Sequence, residues 1–180
     1  MTSPGPVQHG SKRPILVFVV SLCVMLGLLQ LVLAADVVTE KVIPAYLRGW
    51  ARACAATLSV FGEGASAVET AVNSPRYSIN IKRGCDAIQP TALLIFGVLA
   101  APVRWRLKIP GLLVGTAFMM VMNLVRVVSL FYVGIHFPTA FDTMHEDVWQ
   151  AVFIILSVLS WGAWAVWAAR RTANPPRARE

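Results

Sequence analysis

Residues Ile109–Phe137 read IPGLLVGTAFMMVMNLVRVVSLFYVGIHF, an apolar run with a single charge at Arg126. It follows Arg104-Trp105-Arg106-Leu107-Lys108, so a basic cluster abuts its start. Roughly 30 Å of hydrocarbon takes about 20 apolar residues to cross as a helix, and this run exceeds that. Three more segments have the same character. Ile15–Ala35 is uncharged behind Lys12 and Arg13, Ala87–Val103 stops at the 104–108 cluster, and Val148–Ala169 ends at Arg170-Arg171. The first also fits a cleavable signal peptide with Val32-Leu33-Ala34 at the processing site. Its apolar run is longer than the usual 7–15 residues, which favours a retained span.

The composition agrees. Hydrophobic residues make up 57% of the 180 and charged residues 14%, against roughly 45–50% and about 25% in soluble domains. Mean hydropathy is +0.64. Disorder, a coiled coil and a disulfide-stapled miniprotein are excluded. The net charge of +7 raises nucleic acid as a partner, but the placement of the charges argues against it. Nine of the 16 basic residues lie in 1–14, 104–108 and 170–180, each beside an apolar run, and eight of the 9 acidic residues lie elsewhere. That is the positive-inside pattern.

With all three basic clusters in the cytoplasm, the number of crossings is even. The expectation is an all-α, polytopic integral membrane protein with about four transmembrane helices and an outward-facing site. Residues 1–14 and 170–180 form cytoplasmic tails around one domain, 15–169, and 36–86 and 136–147 face outward. Trp105, Trp164 and Trp167 fall at the inner interface, and Trp50 and Trp149 at the outer one. In the external segment, Leu47, Trp50, Cys54, Leu58 and Phe61 recur at helical spacing. That stripe suits a helix in the outer interface or one packed on the spans. Residues 62–75, rich in Gly, Ala and Ser, read as a loop, and Tyr77, Ile79 and Ile81 alternate as a short extended stretch.

Three residues stand out for chemistry. Arg126 lies roughly 27 Å along its span from Lys108, near the outer edge. A charge there faces the bundle interior or snorkels to headgroups. Cys85 lies 19 residues before Arg104, roughly 28 Å up its span at 1.5 Å per residue, hence at the same level. A helix N-terminus, Lys82 and Arg83 favour its thiolate, Asp86 opposes it, and Gly84 leaves room for close approach. A buried inert thiol and a disulfide to Cys54 are the alternatives. Cys23 reads as a packing residue. Thr143-Met144-His145-Glu146 has the form of a capping box, which puts His145 in the first turn of the last span; otherwise it is a surface histidine. His136 reads as loop and His9 as tail. A cysteine nucleophile, a histidine acid/base and a fixed cation together support acyl transfer. No Cys or His pair has metal-ligand spacing.

Arg83-Gly84-Cys85-Asp86-Ala87-Ile88, Asn123-Leu124-Val125-Arg126-Val127-Val128-Ser129-Leu130 and Phe141-Asp142-Thr143-Met144-His145-Glu146-Asp147-Val148-Trp149-Gln150 resemble the three motif regions of the exosortase/archaeosortase family. The chain is most similar to the short H-type exosortases, over roughly residues 77–165. The resemblance implies a bacterial inner-membrane cysteine transpeptidase with Cys85 as nucleophile, Arg126 as the arginine and His145 as the histidine. Its substrates would be exported proteins bearing a C-terminal motif, a transmembrane helix and a basic tail. The acyl group would pass to an unidentified acceptor, and with water as acceptor the enzyme is a protease. No cofactor or metal is implied. Asp86 departs from the pattern, which has a small neutral or amide residue there. The competing expectation is a non-enzymatic membrane scaffold or assembly factor, with Arg126 paired to Asp86 or Glu146 and a structural Cys85. Gly111 and Gly115 suit a dimer face or close packing within the bundle.

Overall fold

The computed structural model describes residues 13–173. Most of the expected tails, including His9, lies outside the described residues. The chain forms α1 (Arg13–Ala34), a π-helical turn (Val38–Val42), α2 (Ile43–Val60), strands β1 (Ser66–Val68), β2 (Ala71–Asn73) and β3 (Ser78–Asn80), α3 (Ile88–Ala100) and α4 (Trp105–His136). A 3-10 turn (Pro138–Ala140), a second π-helical turn (Thr143–Val148) and α5 (Trp149–Ala173) follow.

Three helical runs are long and apolar enough to cross a membrane: Arg13–Ala34, Trp105–His136 and Thr143–Ala173. At 1.5 Å per residue, the 22 residues of α1 and the 32 of α4 give about 33 Å and about 48 Å. No residue of α1 is fully buried among the protein's own atoms, although it packs on α3 and its Phe18 ring lies 5.7 Å from that of Trp161. Cys23 is exposed, which corrects its expected packing role. The expected second span is also shorter than Ala87–Val103. α3 has 13 residues, about 20 Å, because its end is set by Pro102. A proline forces the preceding residue out of the α region, and Ala101 is extended at φ −63°, ψ 135°. α3 is enclosed by α1, α4 and α5.

The external segment is built rather than loose. α2 buries Ile43, Leu47, Ala51, Cys54, Ala55 and Leu58, a stripe at helical spacing, against β1, β2 and α4. It is therefore the packed helix of the two expectations, with Phe61 left 63% exposed. Residues 62–75 are not a loop throughout. They contain β1 and β2, which pair antiparallel through Ala67↔Val72, while β2 pairs β3 through Val72↔Ile79. Val72 and Ile79 point inward and are buried, which ties the sheet to the core. Alanine, serine and glycine hide such strands from sequence patterning because they are poor strand formers with little to alternate.

Two hydrophobic clusters result. One joins α2, the sheet and the Val127–Phe131 end of α4. The other fills the space between α3, α4 and α5, with Leu94, Val98, Met119, Phe153 and Trp164. Burial separates the tryptophans expected at the two interfaces. Trp164 is buried, its indole N–H donating to the Leu107 carbonyl at 2.8 Å. Trp50 and Trp149 pack against the clusters, and only Trp105, at 63%, is largely exposed. Gly111 meets Trp164 and Gly115 meets Leu94, so both glycines serve packing within the bundle. Cys85 belongs to the first cluster and Ala87 to the second. The seam between them carries the site.

Candidate active site

The chain entering α3 is wound into a turn that sets Cys85. The Cys85 N–H donates to the Lys82 carbonyl at 3.0 Å. Gly84 has φ +96° and Ala87 φ +53°, so left-handed residues flank the segment. A β-carbon on Gly84 would meet nothing within 4 Å. Gly84 is thus needed for its backbone angle, not for the close approach expected. Asp86 accepts the Ile88 N–H on its side chain at 3.1 Å. That bond engages the carboxylate beside Cys85 one residue before Ala87, from which α3 starts without a side-chain cap.

Two side chains from other elements clamp this turn. Asn123 of α4, fully buried, donates from Nδ2 to the Cys85 carbonyl at 3.1 Å. The Tyr46 hydroxyl of α2 donates to the Asp86 carbonyl at 3.0 Å. Sequence reasoning assigned neither a role. Asn123 was legible in principle, as a polar residue one turn before Arg126 in an apolar helix. Tyr46 gives no such signal.

His145 does not stand in a capping box. The helical path begins at Phe141, so Thr143 has no free helix start to cap, and Thr143–Val148 is a π-helical turn without a side-chain cap. Such turns occur often at functional sites. The His145 ring stacks on Phe141, with centroids 6.0 Å apart. Its Nε2 lies 2.7 Å from Cys85 Sγ.

Arg126 is 2% exposed and does not snorkel. It donates to the His145 main-chain carbonyl at 2.9 Å, and its guanidinium carbon lies 5.4 Å from the centre of the Phe153 ring. Its Nε has no hydrogen-bond partner. The ion pairs among the described residues are Arg48–Glu69 and Arg76–Glu63, so the expected pairing of Arg126 with Asp86 or Glu146 is not formed. A cavity of about 110 Å³ adjoins it, lined by Gly84, Asp86, Gln89, Arg126 and Gln150 among others.

Cys85, Arg126 and His145 therefore meet, as counting residues along the spans predicts. Cys54 and Cys85 share one core without a disulfide, and both thiols are free. Burial pushes the Cys54 thiol up to about 11. The Cys85 thiol is also raised, first by burial at 5% exposure, while the Arg126 charge pulls it down and Asp86 pushes it up. Burial thus outweighs the expected help from a helix N-terminus, and α3 begins only at Ile88, three residues on. A neutral thiol beside an imidazole nitrogen can still act, if the imidazole takes the proton as sulfur attacks. No family model, curated protein or solved structure matches the chain.

Proposed function

We propose that this protein is a membrane cysteine transpeptidase or protease of the exosortase type, acting on exported proteins with a C-terminal motif, a transmembrane helix and a basic tail. The observation that carries the reading is the 2.7 Å contact between Cys85 Sγ and His145 Nε2, with Arg126 holding the His145 carbonyl. As sulfur attacks the scissile carbonyl carbon, the thiol proton passes to Nε2. Collapse of the tetrahedral intermediate breaks the C–N bond, and the imidazolium gives that proton to the leaving amine. Arg126 is in no ion pair among the described residues and its Nε makes no hydrogen bond, which leaves its charge and this donor to support the developing oxyanion. His145 then deprotonates the acceptor, whose attack on the thioester returns the thiol.

In this reading the chain crosses a bacterial inner membrane four times with its basic clusters in the cytoplasm and the site outside. α3 makes the second crossing. The burial of Cys85 equally suits a scaffold with a structural thiol, so an activity test decides. Co-expression with tail-anchored, basic-tailed exported proteins should give a processed product, and Cys85→Ala should leave the precursor whole. Equal processing by Cys85→Ala and the parent chain would defeat the proposal.

A further inference from the structure

At the basic end of the bundle, α4 and α5 leave an open apolar groove of about 480 Å³, within the range of small-ligand pockets, roughly 300–1,000 Å³. Pro110, Val114 and Phe118 line it from one stripe of α4, and Ser160, Ala163 and Trp167 from α5. Its buried tryptophan, Trp164, has already given its indole N–H to Leu107. The groove therefore offers an acyl chain contact area and few polar demands.

Its mouth is cationic. The Arg171 guanidinium carbon sits 5.8 Å from the Trp167 ring centre. Arg106 is exposed and lies one turn before Pro110 on the same stripe. Among the described residues neither arginine is in an ion pair. The site thus pairs an apolar trough with two arginines at one end that pair with no described carboxylate. A second copy of this chain, or a helix with a basic tail, would bring like charges to that end and be repelled. An amphiphile with an anionic head would not.

We propose that this groove binds an anionic phospholipid, its acyl chain along Val114 and Phe118 and its phosphate at Arg106 and Arg171. The assignment does not depend on the peptidase reading.

The test uses the full chain in vesicles of equimolar phosphatidylglycerol and phosphatidylcholine, with bromine on the acyl chains of one lipid at a time. Surface charge is then the same in both arms, and tryptophan quenching reports which lipid occupies the groove. Brominated phosphatidylglycerol should quench more strongly. Arg106→Gln and Arg171→Gln should each lower that preference by about fivefold. Val114→Phe, at a position 69% exposed, should lower quenching by filling the trough while the cations remain. Equal quenching by the two lipids overturns the proposal. Loss of the preference on adding inorganic phosphate would overturn it in favour of a free-anion site. Disulfide dimers of Val114→Cys formed through this face would overturn it in favour of a second copy.

Discussion

Arg126 donates a 2.9 Å hydrogen bond to the main-chain carbonyl of His145, the residue whose ring touches Cys85. One buried cation thereby fixes the π-helical turn that carries the imidazole, and it also lowers the neighbouring thiol's proton affinity. Lysine has one ammonium where arginine has a planar fork, so it cannot hold the carbonyl and keep Nε free together. Arg126→Lys should insert and fold normally yet lose about 10²–10³ in processing rate, the usual loss for one oxyanion donor. Quantifying precursor and product at matched protein levels checks this, and near-parental processing would make Arg126 a structural residue.

The thiol's own titration gives a second expectation. Alkylation proceeds through the thiolate, and burial raises the Cys85 pKa, so its rate should climb only above the range of an ordinary thiol. Arg126 lowers that pKa and Asp86 raises it. Arg126→Gln should move the profile to higher pH. Asp86→Asn, which keeps a side-chain oxygen for the Ile88 N–H, should move it to lower pH. Site-resolved labelling by mass spectrometry separates Cys85 from Cys54, whose thiol is held up to about 11. Two unmoved profiles would mean the charges do not reach the sulfur.

Opposite effects are expected at the two left-handed residues of the nucleophile turn. At Gly84, φ +96° strains any side chain even though space is open, so Gly84→Ala should destabilise by roughly 1–2 kcal/mol. Ala87 already bears that strain at φ +53°, so Ala87→Gly relieves it and should stabilise slightly. Thermal melts in detergent distinguish the pair, and a common sign would contradict the turn geometry.

Orientation has its own measurement. Reporters fused after Lys108 and after Arg171 should read cytoplasm, and one at Ser66 the exterior. An exterior signal at Lys108 would invert the site and remove its access to exported substrates.

How much of this was legible beforehand follows from where the sequence carries strong signals. A lone charge within Ile109–Phe137 marks Arg126 unaided. Counting helical rise from one shared basic cluster puts Cys85 and Arg126 at one level, and Asn123 and Arg126, one turn apart on α4, both bond to the site's main chain. Local chemistry was harder. Thr143 to Glu146 carries capping-box residue types, but a cap needs a helix start, and the chain is already helical at Phe141. The strands at 66–68 and 71–73 are built from small residues with one buried valine, Val72, so no alternation shows. The length of α3 depended on Pro102, which the apolar count of Ala87–Val103 ignored. Whether the Cys85 thiol is raised or lowered depended on burial, which arises only when α2 and the sheet close over the turn.

The most direct test of the central claim is covalent capture at Cys85 with two substrates that differ only in the leaving group. With the natural amide, the parent chain should form a hydroxylamine-labile adduct at Cys85, and His145→Ala should slow its formation by about 10²–10⁴. An ester in place of the scissile amide needs less help from an acid, so it should partly restore adduct formation in His145→Ala and leave Cys85→Ala without any. No adduct at Cys85 from either substrate, or processing that persists in Cys85→Ala, would contradict the account.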